Sequence, residues 1–324
     1  PSARGGGLYN QSVAGLENVT LSNNTAQATT ISGGAVYNFQ GSLSLTHTTV
    51  SFNRAPAVVN EAPGAVNIVN SIVASSTVGV GGTIDGCNGV ITSSGNNLDS
   101  GSTCGFGGGS INNADPQLGP LQDNGGGTLS RIVSVGSPAV DAADDGLCVD
   151  FDQRGVGRPQ GSHCDIGAYE VIGYTNSTPG EIAAGQCLTS TTVVSSSYVI
   201  GSLHLGVNLT YAPRGDLRVS LISPGNRRVH VLGDTGGSGQ NLDVLWDDDE
   251  SIPVGAEDHD VTFPYYDYVR RPDEPLTPLF GTAVGGAWRL EICNTGTMAG
   301  TLNRWSLIIP EIKSPRINLP LLRR

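Results

Sequence analysis

Gly6-Gly7-Leu8-Tyr9-Asn10 recurs as Gly33-Gly34-Ala35-Val36-Tyr37-Asn38. A short alternating run follows each copy: Leu16-Glu17-Asn18-Val19-Thr20-Leu21, then Leu43-Ser44-Leu45-Thr46-His47-Thr48-Thr49-Val50. Each run leads to asparagine, in Asn23-Asn24-Thr25-Ala26 and in Asn53-Arg54-Ala55. A degenerate third copy reads Gly64-Ala65-Val66-Asn67-Ile68-Val69-Asn70-Ser71-Ile72-Val73. The offset is about 27 residues, within the range of solenoid repeats. Short strand-like runs with Gly and Asn at the corners, and no helical period, predict a parallel β-helix. Inward side chains then stack from coil to coil, and corner Gly or Asn takes the left-handed backbone conformation. One coil cannot bury its own apolar face, so coils need neighbours above and below. The competing reading is an antiparallel sandwich with coincidental repeats.

Composition agrees with an all-β chain. Of 324 residues, 46 are Gly and 18 Pro, and only 14% are charged. Gly costs about 1 kcal/mol relative to Ala in a helix interior and Pro about 3, so long helices are not expected. Hydrophobic residues, at 38%, suffice for a core. The length suggests two domains. No run of about 18 apolar residues exists, so no transmembrane helix is expected. The formal net charge of −12 argues against a nucleic-acid partner, because nothing concentrates positive charge against phosphates. The chain begins at Pro1 and reads as a processed product from which any signal peptide is gone.

Six Cys are present and none sits in a C-x-x-C pair, which argues against a zinc or thioredoxin-like site. An even count in an acidic chain rich in Ser, Thr, Asn and Gly reads as disulfides in an oxidising compartment. Six Cys allow on the order of fifteen connectivities; pairing of neighbours, Cys87–Cys104, Cys148–Cys164 and Cys187–Cys293, is favoured. Composition shifts near residue 175, and all three Trp lie beyond it. The expected organisation is a β-helix with a C-terminal capping region over 1–173, a linker over 174–180, a sandwich over 181–310 and an extended tail over 311–324.

Two family resemblances sharpen this. Residues 94–170 carry Ser94-Gly95-Asn96-Asn97-Leu98, Ala114-Asp115-Pro116-Gln117-Leu118-Gly119-Pro120-Leu121, Asp123-Asn124-Gly125-Gly126-Gly127-Thr128 and Gly136-Ser137-Pro138-Ala139-Val140-Asp141-Ala142. They continue with Asp152-Gln153-Arg154-Gly155, Arg158-Pro159 and Cys164-Asp165-Ile166-Gly167-Ala168-Tyr169-Glu170. This block resembles the C-terminal part of the bacterial surface proteins called choice-of-anchor Q domain proteins. The resemblance implies a right-handed parallel β-helix and a secreted or surface location. Locally, Asp152, Arg154, Arg158 and Asp165 read as a structural ion-pair set that closes the end of the helix.

The second half carries Arg214-Gly215-Asp216-Leu217-Arg218-Val219-Ser220-Leu221-Ile222-Ser223-Pro224-Gly225, Trp246-Asp247-Asp248-Asp249, Gly286-Ala287-Trp288-Arg289-Leu290-Glu291-Ile292 and Gly300-Thr301-Leu302-Asn303-Arg304-Trp305-Ser306-Leu307. It resembles the P domain (Homo B domain) that follows the catalytic domain of subtilisin-like proprotein convertases. That resemblance implies a jelly-roll β-sandwich over about 178–310. Independently, Leu217, Val219 and Leu221 alternate with Arg218, Ser220 and Ile222, as in a half-buried strand. Trp288 and Trp305 are expected in the core, and Arg214-Gly215-Asp216 leads straight into a strand rather than an exposed integrin-binding loop.

Candidate sites follow. Asp247, Asp248, Asp249, Glu250, Glu257, Asp258 and Asp260 crowd one stretch. Packed carboxylates invite a hard cation with many oxygen ligands, so Ca²⁺ is the candidate cofactor, with Asp247, Asp249 and Asp258 as expected ligands. Asn10, Asn18, Asn23, Asn176 and Asn208 lie in N-x-S/T sequons, weak glycan signals in a chain of this composition. His47, His163, His204, His230 and His259 lie in no catalytic-looking setting, and no nucleophile stands beside a base. An enzyme is therefore not expected.

Assembly is the leading expectation. Gly5, Gly6 and Gly7 begin partway through a repeat, which would leave strand edges open. Ile317, Leu319 and Leu321 punctuate an apolar tail. The first functional expectation is a non-catalytic secreted structural protein that self-assembles through the open coil and this tail. The second is an adhesin holding glycans or cell-surface proteins, opposed by the scarcity of aromatics (Tyr9, Tyr37, Phe39, Phe52). The third is a fragment of a larger secreted protease or polysaccharide-degrading enzyme.

Overall fold

The Gly and Asn corners do what their backbone freedom permits. In the computed structural model, which describes residues 5–26, 34–54, 56–74, 86–233, 237–262 and 265–313, every strand up to Asn112 pairs in parallel with the coil above or below. The first sheet is β1 (Leu8–Asn10), β4 (Val36–Phe39), β7 (Val58–Glu61) and β10 (Cys87–Asn88). The second is β2 (Val13–Glu17), β5 (Ser42–Thr46), β8 (Ala65–Val69) and β11 (Thr92–Ser94). The third is β3 (Thr20–Ser22), β6 (Thr49–Ser51), β9 (Ile72–Ala74), β12 (Leu98–Asp99) and β13 (Ile111–Asn112). The fold is an all-β parallel β-helix in this half. Its axis is filled by Val36, Leu43, Leu45, Val50, Val58, Val66, Ile68 and Val73, all buried.

Two ladders set the corners. Asn10 Nδ2 donates to Asn38 Oδ1 at 2.7 Å and Asn38 Nδ2 to Asn60 Oδ1 at 2.8 Å. A Cβ at Gly41 would lie 2.5 Å from Asn10 Nδ2, so only glycine lets the chain turn beside this ladder. The rungs are 28 and then 22 residues apart, so the period varies instead of holding near its expected value. At the corner between second and third sheets, Asn18, His47, Asn70 and Gly95 all take positive φ, of 54, 44, 45 and 68°. His47 is the one imidazole among them, and its Nε2 lies 3.2 Å from Asn70 Nδ2.

His47 is also fully buried. Burial, then the charge of Arg158, holds its ring down to a pKa of about 3. The unfolded chain takes up a proton near the ordinary value of 6.5, while the folded chain refuses it until about 3. Stability must therefore fall as pH drops through that window, by up to about 1.4 kcal/mol per unit from this group. His47→Asn suits the left-handed corner and should flatten the slope, read as the difference between the two proteins' urea midpoints at pH 7 and pH 5. Parallel pH profiles would show that His47 is not the titrating group.

Residues 114–171 do not close the end of the helix, as the sequence suggested; they run along its side. Asn18 Nδ2 donates to Phe151 O at 2.6 Å, Ala168 N to Thr49 Oγ1 at 3.0 Å, and Asn96 Nδ2 to Ala142 O at 2.9 Å. Those contacts span the first to the fourth coil. The reason is apolar: Ile72, Ala74 and Leu98 point outward from the third sheet and are buried with Val133, Ala139, Ile166 and Tyr169. A hairpin, β14 (Leu118–Gln122) and β15 (Ser130–Val133), belongs to this cover. The far end of the core is closed instead by the loop carrying Phe106 and Cys104, which pack into the axial cluster. Asn112 Nδ2 ties that loop down through Phe106 O at 3.0 Å.

The cover is itself held by a buried ionic set. Arg154 meets Asp152 at 2.7 Å and Arg158 meets Glu170 at 2.7 Å, with all four side chains out of water. Asp165 accepts from Asp141 N and Val171 N at 2.7 and 2.6 Å. Asp152, Arg154 and Arg158 pair as the sequence suggested, Glu170 supplies the second carboxylate, and Asp165 is held by backbone N–H groups.

The described residues from 173 to 313 form the second unit, a β-sandwich of two sheets. One orders β16 (Ile172–Asn176), β25 (Gly300–Lys313), β19 (Val199–Thr210), β22 (Leu242–Trp246) and β23 (Tyr268–Arg270), with β17 (Gly180–Ile182) also on β25. The other orders β18 (Cys187–Val194), β24 (Gly286–Asn294), β20 (Leu217–Ile222) and β21 (Arg228–Leu232). Leu217, Val219, Leu221, Trp246, Trp288 and Trp305 are fully buried between them. The stretch expected as a linker over 174–180 is largely strand, because β16 and β17 add to β25. Likewise β25 runs on to Lys313, past the expected start of the tail at 311. The tail residues Ile317, Leu319 and Leu321 lie outside the described residues.

Candidate functional site

The acidic stretch leaves β22 just after Trp246, and local hydrogen bonds decide its shape. Asp248 turns inward and caps the turn at Thr277, accepting from Leu276 N, Thr277 N and Thr277 Oγ1 at 2.7, 2.7 and 2.6 Å. Asp247 accepts from Asp249 N at 2.9 Å and lies 3.5 Å from His204 Nε2. Asp258 accepts from Gln240 N at 2.7 Å. Glu257 meets Arg270 Nη2 at 3.0 Å and His259 Nε2 at 3.3 Å. Burial works to raise the Glu257 carboxyl, yet its own backbone N–H, Arg270 and His259 bring it down to about 2.

His204, Gln240, Arg270, Leu276 and Thr277 come from outside the acidic run, whereas Asp249 N and His259 lie within it. Among the described residues, no three His, Cys, Asp or Glu side chains converge as a metal requires. Of the expected calcium ligands, Asp247 and Asp258 accept backbone N–H groups, and Asp249 is joined to Asp247 through its own N–H.

Behind this loop sits Arg214, fully buried. Its guanidinium donates to Gln240 O, Asn241 O and Gly255 O at 3.0, 2.5 and 2.9 Å, and also to Glu257 O. The Arg214-Gly215-Asp216 tripeptide is therefore an internal strut, as its position before β20 suggested. Only a planar fork serves carbonyls on two loops at once. Arg214→Lys should cost about 2 kcal/mol in urea unfolding, from the lost charge-assisted bonds. A variant as stable as the parent would remove the strut.

The histidines have structural occupations. His259 Nδ1 accepts from Asp243 N at 3.1 Å while its ring stacks on Tyr268 at 3.9 Å. His163 meets Asp145 at 2.6 Å on the surface. Ser220 Oγ and His230 Nδ1 lie 3.0 Å apart, a contact that sequence reasoning missed because the two residues meet only through the pairing of β20 with β21. No carboxylate is hydrogen-bonded to the His230 ring among the described residues, so nothing orients it as a base.

All three disulfides join sequence neighbours: Cys87–Cys104, Cys148–Cys164 and Cys187–Cys293. The sequons fare unequally. Asn10 is buried in its ladder, and Asn208 Nδ2 is buried against Asp243 Oδ1 at 2.6 Å, so neither amide can carry a glycan in the folded chain. Asn18 and Asn176 donate to Phe151 O and Thr191 O. Asn23 is exposed at a left-handed turn and is the accessible acceptor among them.

The remaining surface of interest is the first coil. Leu8, Ala14, Leu16 and Leu21 point at the core and are only partly buried. The Tyr9 ring, 41% exposed, stacks on Tyr37 at 6.0 Å and on Phe39 at 6.4 Å. Gly6 lies against Gly34 O and Gly7 against Ala35 O, so Gly6 and Gly7, of the expected assembly residues Gly5, Gly6 and Gly7, contact the second coil.

Among solved structures, the serine protease of Aeromonas sobria in complex with its chaperone is similar at 18% identity and a TM-score of 0.31, covering 44% of this chain and 26% of that one. A second structure of the serine protease of Aeromonas sobria gives 16% identity, a TM-score of 0.29, and coverage of 42% and 26%. The chain thus spans about a quarter of the length of those proteins. No curated protein matches the sequence. The family model described as the proprotein convertase P-domain matches residues 200–309, the greater part of the sandwich.

Proposed function

We infer that this is an extracellular, non-catalytic bacterial protein that works by contact and self-association. The carrying observation is its three disulfides, which suit an oxidising compartment, and the reading is further supported by the resemblance of residues 94–170 to bacterial surface proteins. The tail through Ile317, Leu319 and Leu321 joins the proposal as a contact. The test is light scattering across a concentration series: a mass that rises with concentration supports the reading, and a monomer throughout overturns it.

A second reading is favoured by the P-domain match: these residues are the part of a larger secreted protease that follows its catalytic domain. The complete reading frame separates the two. Calcium at Asp247, Asp249 and Asp258 belongs to the proposal. Melting with added calcium against EDTA reads it, and an unmoved midpoint removes the ion. Tyr9, exposed and stacked on Tyr37 and Phe39, is where a glycan or cell-surface protein is proposed to dock, and a glycan array without hits removes the glycan.

A further inference from the structure

The outer face of the larger sandwich sheet holds a cation without an anion. β25 pairs with β19 through Arg304 and Asn208, then through Leu302 and Leu209, so Asn303 is an extra residue in the ladder. A bulge of this kind re-aims its side chains. Trp305 is buried in the core, while Arg304 stands half-buried on the other face. Arg154, Arg158, Arg228 and Arg270 each meet a carboxylate. Arg304 meets none among the described residues, and its Nε is buried with no hydrogen-bond partner. Its guanidinium instead lies over the Tyr265 ring at 4.2 Å and near the Tyr266 ring at 5.9 Å. Tyr266 takes a positive φ of 69°, an outlier for so bulky a residue. Its ring fills the space that a Cβ at Gly206 would need, 2.7 Å away, and its hydroxyl lies 2.8 Å from Ser306 Oγ. Such strain persists where the surroundings hold a residue to a task, and here the strained tyrosine is part of a clamp on a guanidinium.

We propose that Arg304, with Asn303 and the Tyr265–Tyr266 pair, binds the carboxylate of an acidic sugar in a polysaccharide. A planar guanidinium meets a carboxylate through two parallel hydrogen bonds, and one already stacked on a ring loses little freedom in making them. Asn303 Nδ2 donates to Asn208 Oδ1 at 2.9 Å and to Thr210 Oγ1 at 3.2 Å, which leaves its Oδ1 to accept from a sugar hydroxyl. Charge selects a carboxylate over a phosphate. Asp243 acts on Tyr266 as Arg304 does, and burial, then Asp243 and Asp260, raise the Asp267 carboxyl. One cation thus stands beside several acids, where a single negative charge is balanced and a dianion is repelled. Topology selects a sugar over a peptide: β25 lies between β16 and β19, so it offers no open edge to a peptide backbone. The site is separate from Tyr9 and stands independently of self-association.

Binding of the full chain to oligosaccharides of glucuronate, galacturonate and sialic acid, each beside its methyl ester, tests the site. The acid is expected to bind, and the ester, which has lost the charge, to bind at least about tenfold more weakly. Arg304→Gln should weaken binding of the acid by at least about tenfold and leave the ester unchanged. Arg304→Lys keeps the charge without the planar fork and should fall between the two. If Arg304→Gln melts lower than the parent, the ratio of acid to ester affinity still decides, because a fold defect weakens both alike. A variant that weakens acid and ester equally would show that Arg304 only props the loop, and would overturn the proposal. So would equal binding of acid and ester by the parent, or acid binding that survives Arg304→Gln, which would place the glycan elsewhere. A parent chain that holds none of these acids overturns the site and leaves self-association untouched.

Discussion

Arg158→Met should lower stability by about 3–5 kcal/mol at pH 7, and by clearly less at pH 5. Arg158 holds the cover together from inside. Its Nη1 donates to Glu170 Oε2 at 2.7 Å and Asp165 O at 2.9 Å, and its Nη2 to Gly167 O at 2.7 Å. Burial pushes the Asp165 carboxyl well up, and the neighbouring Glu170 pushes it further. Burial also raises Glu170, against the pull of Arg158. Carboxyls raised in the folded state favour the protonated form there. Their charged forms therefore weigh against folding at neutral pH, and that burden lifts as pH falls through the raised values. Without Arg158 both rise further, so the variant's deficit is greatest at neutral pH and shrinks with acid. His47 acts in the same direction, because Arg158 is one of the charges that hold it neutral. Urea unfolding of both proteins at the two pH values measures the difference. An equal loss at each would mean that the side chain matters for packing alone.

The position of that network was only partly legible beforehand. Asp152, Arg154, Arg158 and Asp165 stand out as charges of opposite sign close in sequence, but the surface they brace is written elsewhere, in the third sheet. Ile72-Val73-Ala74 is apolar at every position, whereas Ser42 to Thr46 alternates. A continuous apolar strand is buried on both faces, and that signal was available for placing residues 114–171 along the side. The third coil was obscured for a different reason. Its equivalent of Tyr9-Asn10 and Tyr37-Asn38 is Val59-Asn60, so the aromatic disappears while the ladder asparagine stays. Corner asparagines were the more faithful marker, because they answer the backbone; outward aromatics do not. The shape of the acidic loop was not legible, because its partners Leu276, Thr277, Gln240 and Arg270 are distant in sequence and carry no local signal.

Replacing both Cys187 and Cys293 by Ala should destabilise the sandwich by about 4–5 kcal/mol, the largest effect of the three bridges. The bridge spans 106 residues, against 17 for Cys87–Cys104 and 16 for Cys148–Cys164, for which the same chain-entropy estimate is about 3 kcal/mol. Cys187 and Cys293 are register partners on β18 and β24, so the ladder already holds them opposite one another. Their removal takes little from the folded state: Cys187 is exposed and Cys293 only partly buried. The effect thus lies in the unfolded chain, which regains the freedom of nearly the whole sandwich sequence. Exposure also makes this bridge the one a reductant reaches first, since Cys104 and Cys164 are buried. Urea midpoints of the double variants compare the bridges directly. If the Cys187/Cys293 pair costs less than the Cys87/Cys104 pair, loop length is not the governing quantity, and the buried packing of Cys87 and Cys104 with Phe106 outweighs it.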